Sequence, residues 1–139
     1  MIPYPYFKDF GIKPIAKIIE LLRSKNIQQP VIGFPFKAGS SLIQYSYESN
    51  VDCIALDWTV DLEWALKNLN SSIAFQGNLD PSSLISENDS YLEESVRSIL
   101  QKMKNRKFIF NVGHGLTPEC KITNVKNVIN IVRNYNRDY

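Results

Sequence analysis

The sequence predicts an α/β protein in which four parallel strands alternate with helices. Four short apolar runs recur along the chain, at residues 31–36, 53–56, 72–75 and 108–112. Segments with apolar residues at helical spacing separate these runs. Continuous apolar runs between helices are typical of strands buried in a parallel sheet that helices cover. The alternation by itself fits either an open doubly wound sheet or part of a (β/α) barrel.

The first part of the chain predicts a leading segment, a helix and a strand. Residues 1–10 are rich in aromatic residues and prolines, which predicts an extended leading segment. A helix is predicted over residues 12–25, where Pro14 fits the first turn. Its apolar residues recur at helical spacing: Ile15, Ile18, Ile19 and Leu22. The run at 31–36 predicts a buried strand, and Pro35 indicates that it is an edge strand or that it ends there.

The middle of the chain predicts two helices, one before and one after the second strand. A serine preceding residue 42 is predicted to cap a helix over residues 42–49. Thr59 is predicted to cap a helix over residues 60–69. The apolar face of that second helix is formed by Leu62, Leu66 and Leu69.

Three helical segments are predicted after the third strand. Asp80 and Pro81 open a short helical turn over residues 82–85. Asn88–Asp89 can cap a longer helix over residues 90–104. The last helix is predicted over residues 122–135, directly after the fourth strand and its loop.

Composition excludes several classes of protein. With 139 residues, 44% of them hydrophobic and 22% charged, the chain can form one domain with a real core. A net charge of +2 with scattered basic residues predicts no nucleic-acid partner. No apolar run approaches the roughly 20 residues that span a bilayer, and no signal-peptide pattern is present. We therefore expect a cytoplasmic protein without a membrane partner, in which Cys53 is a buried thiol and forms no disulfide with Cys120.

Polar side chains follow the predicted strands at the points where the strands end. They are Lys37, Asp57, Gln76, Asn78 and His114, the single histidine of the sequence. Ligands bind at the carboxyl ends of the strands in parallel α/β folds, so we expect these side chains to share one rim. Each also has a structural alternative, because a loop cation, a helix-capping carboxylate, turn-forming amides and a loop histidine are all common.

The residue types limit the chemistry of this rim. A single histidine without a cysteine cluster excludes the common zinc sites. The sequence contains no GxSxG nucleophile motif, no GxGxxG and no Walker motif. An acid/base or carboxylate-anchoring site remains, built from lysine, aspartate and histidine.

Four segments of the sequence carry a resemblance to one family. They are FPFKAGSS at 34–41, ALDWT at 55–59, QGNLDP at 76–81 and FNVGHGLTP at 110–118. In order and spacing they resemble the C-terminal part of the uroporphyrinogen decarboxylase family. The resemblance implies that residues 1–139 form a single partial domain, the C-terminal half of a (β/α)8 TIM barrel with four parallel strands each followed by a helix.

The resemblance also implies an activity. Members of the family are homodimeric carboxy-lyases that convert uroporphyrinogen III to coproporphyrinogen III and CO2 in haem biosynthesis, with no metal and no organic cofactor. His114 matches the family's substrate-contacting histidine, so we expect it to bind a substrate carboxylate. A polycarboxylated tetrapyrrole would favour the charged imidazole, which can donate a charge-assisted hydrogen bond.

The resemblance covers only the C-terminal part of the family's chain. The family's arginine-rich loop, its pyrrole-binding aspartate, its active-site tyrosine and its serine all lie upstream, so we expect no catalytic residue here. A full barrel needs roughly 250 residues, and a half leaves strand edges unpaired near 31–36 and 108–112. We therefore expect the chain to need the N-terminal half or a homodimer partner, and to be inactive alone.

Three alternatives remain open at this point. A non-catalytic remnant or assembly subunit could share the same ancestry. A related corrinoid-dependent methyltransferase would carry a His-x-Cys zinc motif after the first strand and a cysteine in place of His114, and this sequence has neither. A flavodoxin-like binding module would also show an alternation of strands and helices.

Overall fold

Four parallel strands form one sheet in the computed structural model, which describes residues 3–135. The strands are β1 (Ile32–Gly33), β2 (Cys53–Ala55), β3 (Ala74–Leu79) and β4 (Phe108–Val112). Their order in the sheet is β1-β2-β3-β4, and every pairing is parallel. The prediction of four parallel strands, each followed by a helix, is confirmed and is consistent with part of a (β/α)8 barrel.

Helices connect the strands on one side of the sheet. They are α1 (Tyr4–Phe7), α2 (Lys13–Ser24), α3 (Leu42–Glu48), α4 (Leu62–Asn68), α5 (Asp89–Lys102) and α6 (Ile122–Asn134). A π-helical turn over Lys8–Ile12 joins α1 to α2, and 3-10 turns lie at Gly39–Ser41 and Pro81–Leu84. Every predicted helix is present, with ends displaced by no more than two residues.

The predicted extended leading segment is wrong for its described part. The chain is helical from Tyr4, and residues 1 and 2 lie outside the described residues. Tertiary contacts stabilise this helix: the Phe7 and Tyr45 rings lie 6.3 Å apart, and Lys8 Nζ lies 2.8 Å from Glu48 Oε2. Pro5 occupies the first turn, where the missing N–H of a proline costs nothing.

Two of the three predicted helix caps differ from the structure. Asn88 does cap α5, because its side chain accepts a hydrogen bond from a backbone N–H of the first turn. Asp61 caps α4 in place of the predicted Thr59. The side chain of Ser41, which precedes α3, makes no capping hydrogen bond, because the 3-10 turn continues directly into that helix.

The core lies between the helices and the outer face of the sheet. Ile54 of β2, Phe75 of β3 and Leu56, the residue directly after β2, are fully buried in it. The opposite, inner face carries Ile32 and Ile109, which are 47% and 46% exposed. The prediction that β1 is a buried strand is therefore wrong, because helices cover only one face of the sheet within the described residues.

The observed bounds of β1 and β3 differ from the predicted ones. β3 starts two residues later than predicted and continues to Leu79, because it pairs with β4 as far as Val112. Gln76 and Asn78 therefore lie within β3 and not after it. β1 ends at Gly33, before Pro35, as the proline indicated. Within the described residues, β1 and β4 each pair on one side, so the two predicted open edges are confirmed.

Candidate functional site

His114 leaves the sheet directly after β4, from a loop that is fixed at its first residue. The backbone N–H of Gly113 donates to the carbonyl oxygen of Leu79 at 2.7 Å. Gly113 is buried against the loop after β2, where a Cβ on it would lie 2.3 Å from the backbone nitrogen of Trp58. The His114 side chain is exposed at the carboxyl end of the sheet, as predicted.

Three aromatic rings surround the His114 imidazole. Its ring centroid lies 4.8 Å from Phe36, 6.2 Å from Phe34 and 5.8 Å from Trp58, the last meeting it edge-on at 83°. We call Phe34, Phe36, Trp58 and His114 the aromatic cluster. Its members come from the chain after β1, β2 and β4, so rings from two other strand ends pack against the imidazole.

His114 and Gly115 line two pockets. The inner pocket has a volume of about 340 Å³ and lies over the inner face of the sheet, with Gln76 and Asn111 among its lining residues. The outer pocket, of about 330 Å³, has a mostly apolar lining, to which Asp80 and Thr117 also contribute. The His114 loop is therefore the wall between two cavities at the rim.

Asp57 has a structural role at the rim. It is 3% exposed, and its Oδ2 accepts a hydrogen bond from the Lys37 backbone N–H at 3.0 Å. Its Oδ1 accepts from the backbone N–H of Thr59 at 2.9 Å and from the Thr59 hydroxyl. The carboxylate thus ties the loop after β1 to the loop after β2.

Asn78 stabilises the loop after β2. Its Nδ2 donates to the carbonyl oxygen of Asp57 at 3.0 Å and to that of Val60 at 2.8 Å. The residue is buried, so both bonds lie away from water. Asp57 and Asn78 therefore have the structural roles that the sequence analysis gave as alternatives to ligand binding.

Lys37 lies beside the aromatic cluster, and Gln76 lines the inner pocket together with His114. Lys37 adopts a left-handed backbone conformation, with φ of 53°, and its side chain is exposed. Its Nζ lies 5.2 Å from the centroid of the Phe36 ring, within the range of a cation–π contact. Gln76 is half-buried in the inner pocket. Of the five predicted rim residues, the structure thus brings His114 and Gln76 together in the lining of the inner pocket, while Lys37 lies beside Phe36 of the aromatic cluster.

Sequence reasoning missed several residues of this site. Phe34 and Phe36 were predicted only as residues of the first strand and Trp58 as the end of the second, although their rings pack against the imidazole. Asn111 was not singled out, although it lines the inner pocket. The period of two along a strand could have found Asn111, because it shares the inner face with Ile109.

The pKa values of Cys53 and Glu119 are shifted by their local surroundings. Burial raises the pKa of the Cys53 thiol, with a smaller effect of Asp52, so the thiol stays protonated and unreactive. A hydrogen bond from the Thr117 side chain lowers the pKa of Glu119. Cys53 is buried as predicted, and both Cys53 and Cys120 are free thiols.

Residues 3–135 contain neither a cluster of metal-ligating side chains nor a membrane-spanning helix. No group of three or more His, Cys, Asp or Glu side chains comes together there as a metal site. Among the helices of this part of the chain, none is long and apolar enough to cross a membrane.

Comparison with known proteins identifies relatives along almost the entire chain. The family model described as uroporphyrinogen decarboxylase (URO-D) matches residues 1–135. The uroporphyrinogen decarboxylase of Orientia tsutsugamushi (strain Boryong) is 40% identical over 135 residues, which are 97% of this chain and 39% of the relative. The corresponding protein of Cereibacter sphaeroides is 37% identical over 128 residues, which are 91% of this chain and 37% of the relative.

A third relative matches a similar share of this chain. The uroporphyrinogen decarboxylase of Wolbachia sp. subsp. Drosophila simulans is 35% identical over 131 residues, or 94% of this chain and 38% of the relative. The chain thus spans less than two fifths of the length of the curated relatives it matches. With the family model matched over 135 of its residues, and with the half-barrel and the GHG loop in the places that the motifs predicted, the chain belongs to the uroporphyrinogen decarboxylase family.

Proposed function

We propose that this chain forms one wall of a uroporphyrinogen decarboxylase site, in which His114 binds a carboxylate of the tetrapyrrole substrate. Residues 1–139 are one partial domain in this proposal. Together with the rest of the barrel, it would convert uroporphyrinogen III to coproporphyrinogen III and CO2 in the cytoplasm, with no metal and no organic cofactor.

The position of His114 carries this proposal. The imidazole is exposed, lines the inner pocket and packs against the rings of Phe34, Phe36 and Trp58. A charged imidazole so placed can donate a short hydrogen bond to a carboxylate without first losing side-chain freedom. The Gln76 amide in the same pocket and the Lys37 ammonium beside Phe36 add further donors for an anionic ligand.

The size of the inner pocket and the hydrogen bonds of Asp57 support a role of this chain in substrate binding and not in the chemical step. An inner pocket of about 340 Å³ is at the small end of ligand pockets, and it can hold only part of a tetrapyrrole macrocycle. Decarboxylation of a pyrrole acetate develops positive charge on the ring, which an opposed anion must stabilise. Both Asp57 oxygens already accept hydrogen bonds from the loops, so we assign no catalytic residue within the chain. The N-terminal half of a barrel, or a second copy, would supply the opposed wall.

Uroporphyrin binding to the chain itself tests the role of His114. Uroporphyrin carries the same eight carboxylates as the substrate and is fluorescent, so a titration can follow binding through its own emission and through quenching of the tryptophan emission, to which Trp58 at the rim contributes. We expect His114→Ala to weaken binding about 10- to 100-fold, because a hydrogen bond between charged groups contributes about 1.5–3 kcal/mol. His114→Gln keeps a donor without the charge and should lose less.

A matched control and one assay of activity complete the test. Lys67→Ala removes an exposed cation from α4, away from the rim, and should leave binding unchanged. In cells that also express the unmatched part of a relative, formation of coproporphyrinogen should fall with the His114 variants through a higher KM. If binding and KM are the same in wild type and His114→Ala, His114 does not anchor the substrate. If the co-expressed pair stays inactive and His114→Ala does not change binding, the chain has the non-catalytic assembly role.

A further inference from the structure

We infer that Lys37 is a specificity-determining residue of the proposed site, because its ammonium is placed to bind the second carboxylate of a pyrrole ring that carries two. Lys37 and His114 would together hold the acetate and the propionate of one ring, whereas a ring with a propionate alone would leave Lys37 without a partner. This inference rests on the proposed function for the identity of the ligand. It can fail on its own, since His114 can bind a carboxylate without a contribution from Lys37.

A buried carboxylate fixes the backbone of Lys37. The Lys37 N–H donates to Asp57 Oδ2 at 3.0 Å, and Asp57 is 3% exposed. The other carboxylate oxygen of Asp57 accepts from the backbone N–H of Thr59 at 2.9 Å, so the acceptor is itself held in place. A ligand that binds Lys37 therefore needs to order only one side chain and not a loop, which keeps the entropic cost of binding low.

Lysine is an unexpected residue for the backbone conformation at this position. The φ of Lys37 is 53°, in the left-handed region, where a Cβ crowds the backbone and glycine is favoured. Asn26 and Asn50 also have positive φ values, of 59° and 63°, but asparagine tolerates this region better than most other residues. Lysine has no such advantage, so the conformation of the loop does not account for it. The distinctive feature of Lys37 here is its long cationic side chain.

The Lys37 ammonium has an aromatic neighbour but no carboxylate partner in the part of the chain that the structure describes. Its Nζ lies 5.2 Å from the centroid of the Phe36 ring. By contrast, Lys8 and Lys121 pair with glutamates, with Nζ to Oε distances of 2.8 Å and 3.2 Å. Because Lys37 is also exposed, its ammonium is available to an anionic ligand.

The Phe36 ring links this ammonium to the His114 imidazole. The imidazole centroid lies 4.8 Å from the Phe36 centroid, so the two groups are separated by no more than this distance plus the 5.2 Å of Lys37 Nζ. Both side chains are exposed, and they follow β1 and β4 at the carboxyl end of the sheet. The rim thus presents two nitrogen donors in contact with one aromatic ring.

The acetate and the propionate of one pyrrole ring match two such donors. They leave neighbouring carbon atoms of the ring, and only one or two methylene groups separate each carboxylate from it. Both carboxylates can therefore turn towards the same rim and accept charge-assisted hydrogen bonds, one from the imidazole and one from the ammonium. A ring with a methyl group in place of the acetate forms only one of these bonds, which allows the site to discriminate between the two rings.

Titration of the chain with two porphyrins tests this role. Uroporphyrin has an acetate and a propionate on every pyrrole ring, whereas coproporphyrin has a methyl group in place of each acetate. At an ionic strength of about 0.15 M, where charges are screened beyond about 8 Å, we expect Lys37→Met to weaken uroporphyrin binding about three- to tenfold. Coproporphyrin binding should change by less than about twofold. Lys37→Arg keeps a charged donor and should bind uroporphyrin like the wild type.

Lys37→Gly separates this role from the stability of the loop. Glycine suits a φ of 53°, so this variant should not lower the melting temperature, yet it should weaken uroporphyrin binding as much as Lys37→Met does. Asn50→Gly is the matched control, because Asn50 has a similar φ of 63° but lies before β2, at the opposite end of the sheet. It should leave the binding of both porphyrins unchanged.

Two outcomes would overturn the inference and leave the proposed function intact. In the first, Lys37→Met binds uroporphyrin like the wild type although His114→Ala loses affinity. In the second, Lys37→Met weakens the binding of both porphyrins by the same factor, which is attraction between charges without selection of a ligand. If the wild-type chain binds neither porphyrin, the proposed function fails and this inference fails with it.

Discussion

The backbone of Gly113 lies directly against the backbone of Trp58, which leaves no room for a side chain between the two loops. A Cβ on Gly113 would lie 2.3 Å from the Trp58 nitrogen and 2.9 Å from its Cα. This approach brings His114 within reach of the Trp58 and Phe36 rings. Gly115, on the other side of His114, has no atom within 4 Å of the corresponding position.

The two glycines therefore form a matched pair for mutation. We expect Gly113→Ala to lower the free energy of unfolding by about 1–3 kcal/mol and to weaken uroporphyrin binding. The atoms next to the added methyl group belong to the backbone, so a side-chain rotation cannot relieve the clash. Gly115→Ala should leave both quantities within error. Urea denaturation and fluorescence titration measure the two effects, and equal behaviour of the two variants would contradict this account of the loop.

Asn78 and Asn111 test which amides of the sheet are structural. Asn78→Asp should destabilise the chain by about 3 kcal/mol or more, because a buried carboxylate would face the carbonyl oxygens of Asp57 and Val60 without a donor. Asn111→Asp should leave stability nearly unchanged, since Asn111 is exposed and its Oδ1 already acts as an acceptor. Thermal unfolding of the two variants at pH 7 compares them directly, and a small effect at Asn78 would refute its bridging role.

Arg106 fastens the connection between α4 and β3 at the opposite end of the sheet. Its Nη atoms donate to the carbonyl oxygens of Asn70 and Ser71, both at 2.6 Å, and of Ile73 at 2.9 Å, while the guanidinium lies 4.1 Å from the Phe75 ring centroid. Burial lowers the pKa of Arg106.

Replacing Arg106 should be costly even when the charge is kept. Arg106→Lys should lower stability by about 1–3 kcal/mol, because one ammonium cannot reach all three carbonyl groups and stack on the ring. Arg133→Lys, at an exposed position of α6, is the control and should change nothing measurable. Urea midpoints compare the two variants, and equal midpoints would show that the three hydrogen bonds contribute no net stability.

Stability should fall at alkaline pH. Burial raises the pKa of Tyr45 above its usual 10.0 and that of Cys53 above 9.0. The folded state then holds these protons more tightly than the unfolded state, so stability is fully present below about pH 9 and is lost as pH rises through the raised values. Unfolding curves between pH 7 and 11 should show this decline. Tyr45→Phe and Cys53→Ala should each flatten it while running parallel to wild type at pH 6–8, and an unchanged alkaline slope in both would be inconsistent with this assignment.

Local patterns in the sequence determined the order of the elements and the position of His114. Apolar runs placed four strands, and the prediction for β4 matches its observed bounds, Phe108–Val112. Helical spacing placed α2 to α6 to within two residues at each end. These features depend on residues near one another in the chain, so the sequence alone contains them. The family motifs then indicated which of the two parallel folds the alternation forms.

Contacts between distant segments decided the rest. The helical start at Tyr4 depends on Tyr45 and Glu48, and the length of β3 depends on its pairing with β4. Asp57 and Asn78 were predicted beside His114 as polar rim residues, but only the folded chain shows that their hydrogen bonds are directed to loop backbone. The aromatic cluster likewise joins residues from three strand ends. A sequence pattern reports what a residue can bind, whereas the packing of remote segments decides which of its possible partners is within reach.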